Sequence, residues 1–428
     1  MSAATLEKRM RISRAAGGIG SDGSAATSAG GSAEVVLDLS RLLARLLHTT
    51  PTGIDRVEMA YARGLLQTIP DRLSFAAVHP NGLYGRLPTR AAIAFLDRTE
   101  RMWDSPGRAS GAGLWLGALA KLLALQPRRV PPRPTGVSRI YVQASPHHLD
   151  NERRVSAILR REQARFVCLV HDLIPIEYPE YARAGGADLH RRRIATLVRH
   201  ADGLVTNSAA TRDSLAPFLA AAGRTPQLRV AHLGIPEMRD TAGPADDRPY
   251  FICIGTIEPR KNHLLLLNVW RRMRELLGEA TPRLIIVGRR GWENEQVIDM
   301  LERCPALVGY VEEHGRLDDR AVARLLAGAR ALLLPSFAEG YGMPVTEALA
   351  LGVPVLCSDL PALREAGGDV PEFLDPLDGV SWLAALTAFA TEGSALESAQ
   401  RARMAGWRAP AWKEHIAIVL ELLHKLER

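Results

Sequence analysis

The sequence predicts an α/β protein built as two domains, each around a mostly parallel sheet. Three observations carry this reading. Short apolar runs alternate with stretches of helical periodicity in both halves of the chain, the pattern of parallel strands joined by helices. The length, 428 residues, exceeds one ordinary core and leaves room for two. Apolar runs end in polar loops, most plainly where 331–334 lead into Ser336, Phe337, Ala338, Glu339, Gly340, Tyr341, Gly342, Met343 and Pro344. Loops at the carboxyl ends of strands are where open α/β sheets bind ligands.

Composition narrows the class. Hydrophobic residues at 47% and charged residues at 24% are ordinary for a globular chain. Lysine and arginine outnumber aspartate and glutamate, 54 to 47, a formal charge of +7 that suits an anionic substrate or an anionic membrane surface. Nucleic acid is not expected, because the basic residues are scattered and no recognition motif is present. Cys168, Cys253, Cys304 and Cys357 lie far apart without C-x-x-C spacing, which argues against a zinc site or a redox pair. Three of them sit in apolar strand-like runs and read as core thiols of a reducing, cytoplasmic compartment. No apolar run approaches the ~18 residues of a membrane span. Residues 1–33 have a basic start (Lys8, Arg9, Arg11, Arg14) and Gly/Ser/Ala repeats, without the apolar core of a signal peptide, and are expected to be disordered.

The first domain is expected over 34–235, with strands at 34–39, 75–79, 140–144, 166–170 and 203–206 and helices near 153–163 and 189–199. Ile54, Val57, Tyr61 and Leu65 recur at helical spacing, so a helix starts at Thr52–Gly53 and presents free N–H groups with Arg56 beside them. The apolar segment 111–125, with Lys121, Arg128 and Arg129 nearby, reads either as a buried helix or as one lying on a membrane surface. The strand at 165–170 delivers His171, with Asp172 placed to orient the ring or cap the turn, and the turn at 206–211 offers Asn207 and a helix cap. A Gly/Pro-rich linker is expected at 220–249 around one short strand, 228–232.

The second domain, 249–406, opens with a strand at 250–254, then Gly255 and the adjacent cations Arg260 and Lys261 entering a leucine-rich helix. That arrangement suits a diphosphate, Arg supplying paired donors and Lys a point charge. Further strands are expected at 283–287, 308–311, 331–334, 353–357 and 372–374. Gly340 and Gly342 disfavour regular helix while Pro344 suits a first helical position, which puts Glu339 in a loop and Glu347 one turn into a helix. The loop and helix start can face an anion, and Glu347 can accept from sugar hydroxyls.

The stretch from Phe337 to Glu347, F-x-E-G-x-G-x-P-x-x-E with E-x7-E inside it, resembles the signature of retaining glycosyltransferases of family 4. The segment from Gly255 to Asn262 resembles that family's G-x-x-x-x-x-K-N motif, and His171 matches its active-site histidine. The resemblance implies a GT-B fold: two Rossmann-like domains facing across a cleft, the first for acceptor and the second for nucleotide sugar, with a final helix within 407–428 crossing back to the first. It implies His171 and Glu339 as catalytic residues. Gly255, Arg260, Lys261, Gly340, Tyr341, Gly342, Met343, Pro344 and Glu347 would hold the donor, with the base near Gly309 and Val311. The family's loop after the first strand often carries two glycines near the phosphates. This chain has Thr52, Gly53, Ile54, Asp55 and Arg56 instead, similar to bacterial polysaccharide mannosyl- and rhamnosyltransferases, with Gly53 and Arg56 as candidate contacts. No D-x-D motif is present, so no metal or other cofactor is expected. GDP-mannose is the favoured co-substrate and a UDP-sugar the alternative. The acceptor is a glycan or a polyprenyl-linked oligosaccharide. Rival readings are a GT-B epimerase or phosphorylase and a non-catalytic scaffold.

Overall fold

A computed structural model of the chain describes residues 33–48, 50–103, 123–133, 135–235, 243, 248–315 and 317–427. The expected disorder of 1–33 and the surface helix of 111–125 fall almost wholly outside the described residues; at the end of the latter, Leu123 is exposed and Leu125 buried.

The first sheet holds β1 (Glu34–Asp38), β2 (Leu73–Val78), β3 (Tyr84–Leu87), β4 (Arg139–Gln143), β5 (Arg165–Val170), β6 (Gly203–Thr206) and β7 (Gln227–Val230), in the order β3-β2-β1-β4-β5-β6-β7. All pairs are parallel except β2 with β3. The second sheet holds β8 (Tyr250–Ile254), β9 (Arg283–Val287), β10 (Val311–His314), β11 (Leu332–Leu334), β12 (Val355–Ser358) and β13 (Glu372–Leu374), in the order β10-β9-β8-β11-β12-β13, every pair parallel. Most of these strands are buried on both faces, which is why they read as unbroken apolar runs rather than alternating ones. Each sheet reverses its winding beside its first strand, so crevices open at the carboxyl ends of β1 and β4 and of β8 and β11.

Three expectations need correction. The strand expected inside the linker is the edge strand β7 of the first sheet. The hairpin strand β3 and the following helix, Thr89–Trp103, were not expected, because β3 is only four residues long and carries Arg86. That arginine is buried and tolerable there because Glu34 and Glu162 pair with it at 2.6 and 2.7 Å. The strand expected at 308–311 starts only at Val311, after a tight turn in which Gly309 has φ +76°. Gly309 therefore lies at the amino edge of the second sheet, away from the crevice, and the carboxyl end of β10 is His314. A nucleotide base cannot be held there by Gly309.

The terminal helix, Trp412–Glu427, returns to the first domain and packs on β6, β7 and the helix Gly53–Thr68. Its buried residues Ile416, Val419, Leu422, Leu423 and Leu426 supply the apolar face, and His415 Nε2 lies 2.8 Å from Tyr61 Oη. Cys168, Cys253 and Cys357 are buried thiols, as their apolar surroundings predict. Among the described residues, no helix is long and apolar enough to cross a membrane.

Candidate functional site

The carboxyl end of β8 turns at Gly255, and a single turn of tight helix, Pro259–Lys261, brings Arg260 and Lys261 back over it. Gly255 leaves the space that the Lys261 stem fills, since a Cβ there would stand 3.2 Å from Lys261 Cε. Lys261 Nζ lies 2.5 Å from Glu339 Oε1, and Arg260 Nη1 lies 3.0 Å from Glu339 Oε2. Ser336 donates to Oε1 at 2.7 Å, and Arg260 also meets Glu258 at 2.6 Å and donates to the Ala338 carbonyl at 2.9 Å. Two cations thus face two carboxylates. Burial alone would raise the Glu339 carboxyl, but Lys261 and Arg260 outweigh it and hold the group down at about 2. The same contacts raise the Arg260 guanidinium against the effect of burial. Glu258 and Ser336 are not singled out by the sequence; the only signal is their nearness to Arg260 and Glu339 along the chain.

The glutamate loop continues into the helix Met343–Ala350, with Pro344 in its first turn as expected. Gly342 is required by its left-handed φ of +102° and by Leu363, which lies where a Cβ would be. Gly340 is required by close approach: a Cβ would strike the His171 carbonyl oxygen of the first domain. Ser208 Oγ and Thr211 Oγ1 donate to the Gly340 carbonyl at 2.7 and 3.2 Å, and Asn207 Nδ2 donates to the His171 carbonyl at 2.8 Å. The loop of the second domain is thereby pinned to the His171 corner of the first. Tyr341 turns away into the core, 3% exposed, with its ring 5.5 Å from that of His232. Its burial fits a structural part in the loop better than a direct ligand contact.

Glu347 projects one turn into the same helix, and its carboxylate makes no hydrogen bond among the described residues, so its acceptor oxygens are uncommitted. Burial raises its carboxyl, Arg56 opposes that, and Asp319 adds to it. Arg56 itself crosses the cleft to Asp319, Nη2 to Oδ1 at 2.5 Å and Nε to Oδ2 at 3.2 Å. No sequence spacing could have paired residues so far apart in the chain. The two helix starts face one another here, a Cβ at Gly53 standing 3.8 Å from Met343 Cε. Asp55 holds the turn together, accepting from Thr52 N at 2.7 Å in a capping box and pairing with Arg41 and Arg45 at 2.7 and 2.8 Å.

His171 follows β5 as expected, its Nε2 2.8 Å from the Ala144 carbonyl. A carbonyl only accepts, so Nε2 carries the proton and Nδ1 is the free acceptor. Burial pushes the imidazole below its ordinary value, with the Ala144 contact opposing, so the ring is neutral near pH 7. Asp172 caps the turn, Oδ1 accepting from Ile174 N at 3.2 Å.

Two Rossmann-like domains facing across a cleft, joined by a helix that returns to the first, define the GT-B fold. Solved structures agree. Sucrose-phosphate synthase from Thermosynechococcus elongatus aligns at a TM-score of 0.60 and 15% identity, covering 92% of this chain and 98% of that one. HepE from Anabaena, in complex with UDP and glucose, aligns at 0.57 and 14% identity with the same coverage. Residues 234–369 match the family described as glycosyl transferases group 1. In sequence the chain resembles bacterial polysaccharide mannosyltransferases. It is 39% identical over 129 residues to O-antigen chain mannosyltransferase B of Escherichia coli, covering 30% of this chain and 33% of the relative. It is 28% identical over 225 residues to the serotype-specific mannosyltransferase WbdA of Escherichia coli, covering 48% and 27%. The matches thus span a third or less of the length of these two relatives.

Proposed function

We propose that the chain is a retaining glycosyltransferase that moves a hexose, with mannose from GDP-mannose as the favoured donor, onto a growing bacterial polysaccharide. The observation that carries this reading is the Arg260, Lys261 and Glu339 cluster at the β8/β11 crevice, opposite the helix start at Gly53. Arg260, Lys261 and the start of the helix at Met343 would meet the diphosphate charge that develops as the donor's glycosidic bond breaks, and groups fixed beforehand do so at little reorganisation cost. Glu347, with free acceptor oxygens, takes the ribose hydroxyls. Glu339 orients both cations and lies near the donor sugar, where its charge supports an oxocarbenium-like transition state. His171 offers Nδ1 to the sugar side of the cleft. The preference for mannose rests on the resemblance to the O-antigen mannosyltransferases, and a UDP-sugar is the alternative donor. The acceptor reading is a glycan, lipid-linked at the inner face of the cytoplasmic membrane, approached from the first domain.

A thermal-shift panel of nucleotides and nucleotide sugars tests the donor, since a ligand at one hundred times its dissociation constant adds about 2.7 kcal/mol. GDP and GDP-mannose should stabilise the protein and GDP-mannose should be hydrolysed slowly without acceptor. Stabilisation by UDP-glucose alone would move the assignment to a UDP-sugar. A protein stabilised by no nucleotide sugar is no transferase.

A further inference from the structure

Behind His171, inside the first domain, lies a cavity of ≈ 150 Å³ whose polar wall is His171, Asp172, His190 and Arg193 and whose apolar wall includes Ile54 and Leu149. Arg193, on the helix Gly186–His200, is the unusual member. Its Nε is buried without a hydrogen-bond partner, and its guanidinium makes no ion pair among the described residues, although Asp150 and Asp172 lie near enough to favour its charge. Among the described residues, the buried Arg86 and Arg139 are ion-paired with Glu34 and Glu162, and Arg45, which also has one buried nitrogen without a partner, is paired with Asp55. The carboxylate nearest in sequence to His171, Asp172, is committed to its own turn, and His190 Nε2 donates to the Asp172 carbonyl oxygen at 3.0 Å. Positive charge accumulates nearby. His147 is held down at about 4 by burial, with repulsion from His148, Arg41 and Arg193 adding to it. A buried guanidinium N–H without a protein partner is costly, and such a group is completed by an ordered water or by a ligand.

We propose that this cavity is a subsite for a phosphate group carried by the acceptor, with Arg193 as its principal cation and His190 beside it. The polar groups reach the cavity from two elements, the end of β5 and the helix Gly186–His200. A phosphate ester, carrying up to two negative charges, gains more from an unpaired guanidinium than a singly charged carboxylate does. Assigning the phosphate to the acceptor rests on the proposed function, because it takes the first domain as the acceptor side.

The test is calorimetric titration of methyl phosphate into the full chain and into its Arg193→Met, Arg193→Lys and Lys261→Ala variants, with GDP titrated into each in parallel. Arg193→Met should weaken methyl phosphate binding about tenfold or more, and Arg193→Lys, which keeps the charge, should weaken it only about threefold. Neither should alter GDP binding, whereas Lys261→Ala should weaken GDP and leave the Arg193-dependent phosphate site intact. Equal methyl phosphate binding in all Arg193 variants overturns the subsite, as does joint loss of both ligands in Arg193→Lys. Tighter binding of methyl glucuronide than of methyl phosphate, dependent on Arg193, overturns phosphate in favour of a carboxylate. An Arg193-dependent phosphate site in a protein that binds no nucleotide leaves the subsite standing and removes the donor reading instead.

Discussion

Glu339 and Glu347 sit in one motif but in opposite electrostatic situations, one locked between two cations and the other with no hydrogen bond to its carboxylate among the described residues. Their glutamine variants should therefore fail differently. Glu339→Gln leaves two cations facing only Glu258, so GDP should bind at least as tightly while turnover falls; Glu347→Gln should weaken GDP with a smaller loss in turnover. Equal losses of affinity in both would remove the division of roles. Because the Glu339 carboxyl is depressed to about 2, its contribution to stability is fully present above the unfolded value of 4.5 and is lost only as pH falls towards 2. Any loss of activity between pH 5 and 6 must then come from another group. Glu58 has the opposite sign. It is fully buried under the first loop, Oε1 accepting from Leu42 N at 3.1 Å, and burial followed by the Asp38 charge raises it to about 8. Between 4.5 and 8 the folded state then binds more protons than the unfolded one, so stability falls as pH rises through that window. Glu58→Gln keeps the acceptor for Leu42 and should stabilise the protein at pH 8 by on the order of a few kcal/mol, with little change at pH 5. Urea melts at both values check it, and an equal effect at the two would refute the titration.

At the scale of elements, the sequence announces the strands that are buried on both faces, and also the edge strand β13 at 372–374, while it conceals or misplaces other edge strands. Runs such as 166–170 and 283–287 are legible because a parallel strand between helices must be apolar throughout. The edge strands β3 and β7 escape or mislead a sequence reading because β3 carries Arg86, whose partner Glu162 lies far along the chain, and β7 is a four-residue strand set in a Gly/Pro-rich stretch. The site divides the same way. Glu339, Lys261 and His171 can be found because each stands in a loop or turn that follows a strand, and Glu347 because it lies in the helix that follows such a loop, whereas the contacts that Asp319, Ser208 and Thr211 make across the cleft join elements distant in the chain. The docking of the terminal helix is also such a contact. Gly64, inside the helix Gly53–Thr68, lies against Ile416, whose Cγ1 would be 2.5 Å from an added Cβ. Glycine to alanine in a helix interior ordinarily stabilises by about 1 kcal/mol, but overpacking a closed contact costs about 1–3 kcal/mol. The clash should win, so Gly64→Ala is expected to lower the denaturation midpoint and Gly64→Ala with Ile416→Val to recover part of it. A stabilised Gly64→Ala would mean that the terminal helix is free to shift.

Across the whole molecule the two domains are held together at the site itself. Besides Arg56 with Asp319 and Gly340 with Ser208, the Glu365 carboxylate accepts from Ala209 N and Ala210 N at 2.6 and 2.8 Å, capping a first-domain helix with a second-domain residue. Phe337 stacks on Tyr181 at 5.4 Å and Trp292 Nε1 donates to the Tyr181 carbonyl at 3.1 Å. Partly exposed ion pairs such as Arg56 with Asp319 contribute about 1 kcal/mol or less each, so the closed arrangement depends more on shape at Gly340 than on any one charge. Gly340→Ala tests this directly, because its methyl group would meet the His171 backbone and the domains would have to move apart, giving up the Ser208 and Thr211 contacts. The donor cations lie wholly within the second domain, so GDP affinity should change little. Transfer should fall about a hundredfold, since a displacement of roughly 1 Å between reacting groups costs that much. Small-angle scattering should report a larger radius of gyration than for the parent chain. Full activity with unchanged scattering would mean that the Gly340 contact does not govern closure, and a parallel loss of GDP binding would mean that the loop, rather than the domain arrangement, had been damaged.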